Sequence, residues 1–354
     1  MARNSDGKSF VDLRSDTVTR PSPAMREAMF LAEVGDDVMG EDPSINQLQE
    51  YAADLCGVEA ALFVPSGTMA NQIAVRAWCR NGDEALVVPD SHVFLFEGGA
   101  AAGLSGVQLH PLPGKNGEFT VDDFRERIRP LHDSHFPETR LLWVENTHNR
   151  GGGSIVGIDK MAEVYELGRE KGIPVHVDGA RLCNAAVETG IPLSEWSKVC
   201  DSFSLCLSKG LGAPVGSLLL GSSDFIRRAH RVRKALGGGM RQAGMLAAAG
   251  MYALTNNIDR LIVDHERART FAAELRHLPG LIVQSKVETN IVMIDIDPDF
   301  QLNAAQLSRS LGEREVKLNP VRPRRLRAVF HLDLEEDAVD RAVKAFREVL
   351  SSIY

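Results

Sequence analysis

The sequence lacks paired cysteines, long apolar runs and an excess of basic charge, and each absence excludes a class of protein. Its five cysteines are odd in number and never form a C-x-x-C pair, which argues against a disulfide framework and against a zinc or other metal site. No stretch approaches the roughly 20 apolar residues of a membrane-spanning helix. With 48 acidic against 40 basic side chains, nothing favours binding to nucleic acid or to an anionic membrane.

The remaining composition is that of an ordinary globular protein. The chain has 354 residues, of which 44% are hydrophobic and 25% charged, and this length suggests about two domains of roughly 100–200 residues each. The start of the chain, residues 1–6, is too polar to lead into a secretory signal, so we expect a cytoplasmic protein. The cysteines lie in apolar surroundings and are expected to be buried, reduced thiols.

Short apolar runs bounded by turn residues recur along the first two thirds of the chain. They lie at residues 60–64, 85–88, 141–144, 175–177, 203–207 and 217–220. Such runs, without clean alternation, are typical of strands buried on both faces. Amphipathic segments between them predict helices at residues 44–56, 69–78, 121–129 and 159–171. This alternation predicts an α/β fold with a mostly parallel sheet covered by helices.

The pattern changes near residue 257. A long charged helix is predicted there, and it is followed by predicted strands at 281–283 and 291–294 and a closing helix at 336–350. We therefore predict three parts, namely an N-terminal arm (1–20), a large domain (21–256) and a smaller C-terminal α+β domain (257–354). The basic run 322–327 is predicted to be a solvated loop.

Polar residues follow several of the predicted strands, at the edge where open α/β sheets bind ligands. Asp178 comes directly after one strand and is followed by Arg181. Lys209 follows the next strand, and a lysine beside apolar walls can act as a Schiff-base nucleophile. The plainer alternatives are an Asp178–Arg181 ion pair and a solvated lysine.

Three further segments add to this set. Ser66-Gly67-Thr68 opens a helix directly after a strand, where unpaired N–H groups bind phosphate, although an ordinary N-cap looks the same. His92 and His148 also follow strands and offer imidazoles for stacking or proton transfer. A ligand with a phosphate, a ring nitrogen that needs an acid and a carbonyl that needs a lysine suits this set. That description is pyridoxal 5'-phosphate.

Longer segments resemble the low-specificity L-threonine aldolases, which are pyridoxal-phosphate enzymes of fold type I. The resemblance covers about residues 11–331 and is carried by the segments 11–21, 34–38, 146–149, 175–181 and 236–242. It implies an aspartate aminotransferase-like large domain with a mostly parallel sheet, plus a smaller C-terminal α+β domain. It also implies reversible retro-aldol cleavage of L-threonine, L-allo-threonine and related L-β-hydroxy-α-amino acids to glycine and an aldehyde such as acetaldehyde.

The same resemblance implies a role for each matching residue. Lys209 would be the Schiff-base lysine, Asp178 the partner of the pyridine nitrogen, and His92 would stack on the ring. The residues that would hold the phosphate are Gly67, Thr68 and Ser208. The residues that would bind the substrate carboxylate are Ser15, Arg181 and Arg327, and Arg181 would also contact the cofactor. Either His92 or a water held by His148 would be the base, and Arg241 would reach a neighbouring subunit's cofactor.

Some positions depart from the family pattern, and other functions stay open. Phe330 stands where a threonine is expected, additional arginines precede it, and Ser66 replaces a threonine. Another activity of the same fold, such as a β-eliminating lyase or an aminotransferase, is an alternative, as is a non-catalytic protein that buffers the cofactor. The partners expected are a small amino acid and further copies of this chain, in a tetramer built from dimers with shared active sites.

Overall fold

The strands and helices of the protein are known from a computed structural model that describes residues 10–352. The strands are β1 (Val11–Asp12), β2 (Ala60–Val64), β3 (Glu84–Val87), β4 (Gln108–Pro111), β5 (Thr139–Glu145), β6 (Val175–Asp178), β7 (Ser202–Cys206), β8 (Ser217–Gly221), β9 (Leu281–Val283), β10 (Ile291–Ile296), β11 (Val316–Lys317), β12 (Asn319–Arg322) and β13 (Arg325–Val329).

The α-helices lie between these strands and, in the case of the last one, at the C-terminal end of the described chain. They are α1 (Pro23–Phe30), α2 (Pro43–Cys56), α3 (Gly67–Trp78), α4 (His92–Leu95), α5 (Ala100–Ser105), α6 (Val121–Arg125), α7 (Ile158–Lys171), α8 (Leu182–Thr189), α9 (Leu193–Trp196), α10 (Ser223–Ala235), α11 (Gly244–Asn256), α12 (Leu261–Leu275), α13 (Ala304–Gly312) and α14 (Ala338–Ser351).

A seven-stranded sheet forms the centre of the molecule, in the order β2-β8-β7-β6-β5-β3-β4. Every neighbouring pair is parallel except the two pairs that contain β8. The predicted mostly parallel sheet is therefore confirmed, and its predicted strands are all present. The sequence pattern missed only β4, an edge strand of this sheet whose residues are incompletely buried, so no apolar run marks it.

The central strands are apolar at successive positions because both of their faces are covered. Leu86, Leu142 and Val144 pack into one hydrophobic cluster, whereas Val87 and Trp143 belong to a second one. Side chains of a strand alternate between the two faces, so neighbouring residues enter different clusters. The absence of alternation in the sequence follows from this double burial.

A four-stranded antiparallel sheet, in the order β12-β13-β10-β9, lies in the C-terminal part of the chain. It shares a separate hydrophobic cluster with α12, α13 and α14. The solvated loop predicted for residues 322–327 is wrong, because this run forms the β12–β13 hairpin. Register places Arg325 opposite Asp295 of β10, and their side chains form two hydrogen bonds of 2.7 Å.

The N-terminal segment joins the C-terminal part. Strand β1 pairs in parallel with β11, and the N–H of Val329 donates to the carbonyl of Leu13 at 2.9 Å. The first nine residues of the predicted arm lie outside the described residues. Within residues 10–352, no helix combines the length and the apolar character needed to cross a membrane. The five cysteines are buried and free.

Candidate active site

A cavity of about 630 Å³ lies at the carboxyl ends of the parallel strands, within the size range of small-molecule sites. The predicted site residues that line it are Ser15, Gly67, Thr68, His92, Asp178, Arg181, Ser208, Lys209 and Arg327. Strands β2, β3, β5, β6 and β7 each deliver residues to it through the loop that follows, as expected for this kind of sheet.

Lys209 lies three residues beyond β7 and is the only lysine on the cavity wall formed by the described residues. Its carbonyl accepts a hydrogen bond of 2.9 Å from the Thr19 hydroxyl, which fixes the backbone there. No hydrogen bond or ion pair within residues 10–352 engages its Nζ. The amine is therefore available for a covalent bond to a carbonyl group in the cavity.

Asp178 is the last residue of β6 and is only 3% exposed. Its Oδ1 accepts a hydrogen bond from the N–H of Ala180 at 3.1 Å, and its Oδ2 accepts one from Nδ2 of Asn71 at 2.8 Å. The simple Asp178–Arg181 ion pair considered above is absent, since both carboxylate oxygens are held by other donors. This buried carboxylate faces the cavity and suits a protonated ring nitrogen.

Helix α3 begins at the cavity and presents its N-terminus to it. The Ser66 hydroxyl accepts the N–H of Met69 at 3.2 Å, which leaves the N–H groups of Gly67 and Thr68 without a partner in the described chain. A Cβ at position 67 would lie 2.7 Å from Sγ of Cys206, so only glycine fits there. The predicted N-cap is thus present, and the N–H groups beside it suit an anion.

The imidazole of His92 lies at the start of α4 on the cavity wall. Its Nδ1 is 2.9 Å from Oε1 of Glu97, and its backbone N–H donates to Oε2 of Glu145 at 2.6 Å. Burial lowers the pKa of His92, but the Glu97 hydrogen bond and the charges of Asp178, Glu97 and Glu145 outweigh this, so its pKa is raised.

Two predicted site residues do not line the cavity. His148 is 1% exposed, and its Nδ1 accepts the N–H of Gly151 at 3.0 Å. Its ring packs so closely on Gly117 that a Cβ there would lie 2.3 Å away. Arg241 is exposed and pairs with Asp36 of its own chain at 2.7 Å. Of the two predicted histidines, only His92 faces the cavity.

Arg181 forms a buried ion pair that the sequence analysis missed. Its Nε and one terminal nitrogen each lie 2.7 Å from an oxygen of Asp16, in a bidentate pair that is almost fully excluded from solvent. Burial alone would raise the pKa of Asp16, but the charge and hydrogen bonds of Arg181, with the charges of Lys209 and His331, hold it well below its usual range. Asp16 therefore orients the guanidinium at the cavity.

Replacement of Asp16 by alanine is expected to destabilise the protein by about 3–5 kcal/mol, because a buried arginine would lose the only carboxylate of residues 10–352 that forms an ion pair with it. The change is measured as the urea midpoint of unfolding. Asp12→Ala is the matched control, since its pair with Arg14 is largely exposed and contributes about 0–1 kcal/mol. Equal losses in the two variants would contradict a structural role for the buried pair.

Arg327 supplies a second guanidinium to the cavity. It donates to Oδ1 of Asn149 at 2.6 Å and to the carbonyl of Arg14 at 3.2 Å, and no carboxylate of the described residues pairs with it. Burial lowers its pKa to about 10, with further contributions from the charges of Arg181 and Arg150, and it stays cationic at neutral pH. An arginine without a counter-charge beside an open cavity suits a carboxylate ligand.

The lining residues fit pyridoxal phosphate. The unpaired N–H groups at the start of α3 suit a phosphate, Asp178 suits the ring nitrogen, and the imidazole of His92 offers a flat face. The free amine of Lys209 suits the cofactor's aldehyde. Each of these features is a property of the described backbone and side-chain groups, so the chemistry of the donor set matches the group part by part.

Several contributors escaped the sequence analysis. Asn71 and Glu97 carry no motif of their own, because the contact that joins them spans 26 residues of chain and the contact of Asn71 with Asp178 spans 107. Asp16 lies in the segment 11–21 that carried the family resemblance, so that segment was the available signal. Glu145, the last residue of β5, joins two loops by accepting the N–H groups of His92 and Asn149.

Known sequences resemble this chain over almost its full length. The sequence model of the family described as beta-eliminating lyase matches residues 12–298. The low specificity L-threonine aldolase of Escherichia coli (strain K12) is 45% identical over 345 residues, which cover 97% of this chain and 100% of that protein. Low-specificity L-threonine aldolase 1 of Arabidopsis thaliana is 42% identical over 346 residues, with 96% of each chain covered.

Solved structures show the same fold at lower identity. The threonine aldolase of Leishmania major superposes with a TM-score of 0.83 at 18% identity and covers 96% of this chain and 99% of its own. Serine palmitoyltransferase of Sphingomonas wittichii gives 0.76 at 16% identity, with 99% and 90% covered. By its matched family and its curated relatives, the chain belongs to the beta-eliminating lyase family and, within it, to the low-specificity L-threonine aldolases.

Proposed function

We propose that the protein cleaves L-threonine, L-allo-threonine and related L-β-hydroxy-α-amino acids to glycine and an aldehyde, reversibly and with pyridoxal phosphate. The observation that carries this is that three side chains line one cavity. They are Lys209, whose amine is free, Asp178, which is buried, and Arg327, which pairs with no carboxylate of the described residues. It is supported by 45% identity to a low specificity L-threonine aldolase along the whole length of that relative.

Some of the cavity residues would hold the cofactor, and others would bind the substrate. The residues that would hold pyridoxal phosphate are Gly67, Thr68, His92, Asp178, Arg181, Ser208 and Lys209. When bound, the cofactor supplies an electron sink for the pair released as the Cα–Cβ bond breaks. Arg327 would bind the α-carboxylate together with Ser15 and Arg181. This would fix the rotation of the amino acid about its N–Cα bond, and with it the direction of the Cα–Cβ bond that breaks.

His92 would accept the proton of the β-hydroxyl group. Its Nδ1 is engaged by Glu97, so Nε2 is the nitrogen left for the substrate. The water held by His148 that the sequence suggested is the weaker candidate, because the buried position of that ring gives it no face on the cavity. After cleavage, a proton is returned to Cα and glycine leaves.

Release of aldehyde tests the function directly. The purified protein, loaded with pyridoxal phosphate, is supplied with L-threonine or L-allo-threonine, and aldehyde is followed with a coupled reductase. Glycine and aldehyde in equal amounts support the proposal. Keto acid and ammonia without aldehyde would instead indicate a β-eliminating lyase, and a cofactor spectrum that no amino acid perturbs would indicate a cofactor-binding protein.

The active unit is proposed to be at least a homodimer with shared active sites, and a tetramer as the family resemblance implies. Arg241 would reach the cofactor of a neighbouring subunit. This is supported by its exposure and by its absence from the residues that line the cavity of its own chain. Three large apolar side chains that lie near Asp36 in sequence, Phe30, Leu31 and Met39, are exposed in the single chain.

Mixing two inactive variants tests whether Arg241 acts across subunits. Lys209→Ala and Arg241→Ala subunits, unfolded together and refolded, are expected to regain up to about a quarter of wild-type activity, since half of the random dimers are hybrids with one intact site. Each variant refolded alone is the control. If activity does not rise on mixing, Arg241 does not contribute to the active site of a neighbouring subunit.

We also propose that the chain divides into an arm (1–20), a large domain (21–256) and a small domain (257–354). The division is supported by the separate hydrophobic clusters of the seven-stranded and four-stranded sheets. Helix α12 would begin the small domain, since Ala268, Phe271, Ala272 and Leu275 enter the C-terminal cluster, although its first residue, Leu261, packs in the other one.

A further inference from the structure

A buried carboxylate, Glu97, lies behind the cavity wall and has no part in the mechanism above. Its side chain is fully excluded from solvent. It accepts hydrogen bonds from Nδ2 of Asn71 at 2.7 Å and from Nε2 of Gln72 at 2.6 Å, and it lies 2.9 Å from Nδ1 of His92. Glu97 does not line the cavity, so it can act there only through its neighbours.

One of these neighbours connects Glu97 to Asp178. Nδ2 of Asn71 donates to Glu97 at 2.7 Å and to Asp178 at 2.8 Å, one proton to each carboxylate. The opposite orientation of the amide would place its oxygen between two carboxylate oxygens, which repel it. Asn71 therefore needs an acceptor oxygen on each carboxylate, and through it the position of Asp178 is connected to that of Glu97.

We propose that Glu97 is a positioning residue that orients His92 directly and Asp178 through Asn71, and that it controls the pH range in which His92 can accept a proton. The catalytic part of this inference rests on the proposed function. The coupling of Glu97 to His92, and through Asn71 to Asp178, does not rest on it, since this coupling is a property of the protein without cofactor or substrate.

The charged groups that face His92 determine the direction of the effect. They are Glu97, Glu145 at the end of β5 and Asp178 at the end of β6, and the neighbouring aromatic contact is the uncharged ring of Phe96 at 5.6 Å. All three carboxylates favour the protonated imidazole. Loss of the Glu97 charge must therefore release the proton from His92 at lower pH.

The test compares Glu97→Gln with wild type. In the apoprotein, ring-labelled histidine is titrated by NMR, with the His92 signal identified by its loss in His92→Phe. We expect this titration to move to lower pH in Glu97→Gln. In the loaded enzyme we expect the acidic limb of kcat/KM to move the same way and kcat to fall about tenfold, because the imidazole loses its fixed orientation.

Glu84→Gln is the matched control. Glu84 is also fully buried and lies 3.1 Å from Nδ1 of a histidine, His110, but at the amino end of β3, away from the cavity. It should leave the His92 titration and the acidic limb unchanged. The inference is overturned if both buried-carboxylate variants behave alike, or if Glu97→Gln moves neither the titration nor the limb.

Two further variants keep the test decisive if Glu97→Gln does not fold. Glu97→Asp retains the charge but shortens the reach, so it should largely restore the titration of His92 and not restore kcat. Asn71→Ala cuts the connection to Asp178, so it should weaken the binding of pyridoxal phosphate, measured by equilibrium dialysis, and keep the acidic limb. Unchanged cofactor affinity in Asn71→Ala would refute the connection to Asp178.

The two proposals fail in different ways. If the wild type releases no aldehyde, the proposed function fails, and the apoprotein titration and the dialysis still decide the role of Glu97. If the wild type is an aldolase and the titration of His92 is the same in Glu97→Gln as in wild type, only the inference about Glu97 fails.

Discussion

Lys209→Ala is expected to abolish aldehyde release from L-threonine and L-allo-threonine, with a loss of more than about 10³-fold, the scale seen when a covalent catalytic side chain is removed. Lys209 is the only lysine among the described residues on the cavity wall, and no described side chain or carbonyl engages its Nζ. No other described amine is placed to replace it. The initial rate of aldehyde release with saturating pyridoxal phosphate measures the effect.

Two control variants distinguish the loss of the nucleophilic amine from the loss of its charge and from a general effect of replacing a lysine. Lys209→Arg keeps a positive charge but has no nucleophilic amine, so it should be as inactive as the alanine variant. Lys171→Ala removes a lysine at the end of α7, paired with Glu170 and remote from the cavity, and should leave the rate unchanged. An Lys209→Arg variant with substantial activity would show that the residue acts as a charge and not as a nucleophile.

Asp178→Asn is expected to lower kcat at least about 10²-fold, the scale of losing one preorganised electrostatic partner of a reacting group. The carboxylate accepts Ala180 with one oxygen and Asn71 with the other. An amide at this position can accept only one of these donors and directs its own N–H groups at the other. It also removes the negative charge that keeps a ring nitrogen protonated, so cofactor binding should weaken as well.

The rate of L-threonine cleavage and the dialysis constant for pyridoxal phosphate measure this variant. Asp201→Asn is its control, because Asp201 is partly buried and accepts a backbone N–H, that of Val175 at 2.7 Å, but precedes β7 at the far end of the sheet. Asp201→Asn should lower the stability of the protein and leave unchanged both the rate of L-threonine cleavage and the dissociation constant of pyridoxal phosphate. A rate for Asp178→Asn within about threefold of wild type would remove Asp178 from the mechanism.

Much of the fold was predictable because its sequence signals are local. The strands of the central sheet are apolar without interruption, and double burial makes that pattern unambiguous. The basic run 322–327 misled because charge usually marks a loop, whereas here Arg325 finds Asp295 on the neighbouring strand. A pairing between strands 30 residues apart leaves no mark on either segment alone.

The site was predictable where a polar residue comes directly after a predicted strand in the sequence. Lys209 and Asp178 could be placed at one edge of the sheet because parallel strands end together. The partners of these residues could not. Arg181 pairs with Asp16, 165 residues away in sequence, and not with the nearer Asp178. His148 follows a strand like the others, yet the turn that its Nδ1 closes with Gly151 keeps its ring off the cavity.

The attachment of β1 to β11 also has a consequence for how the protein is made. The N-terminal segment, which carries Ser15 and Asp16, is held by the C-terminal part, where His331 binds the carbonyl of Asp12 at 2.7 Å. During synthesis these contacts can form only after residues 316–331 have left the ribosome. We therefore expect the nascent chain to assemble its central sheet first, with the N-terminal segment that carries Asp16 held in place only after that point.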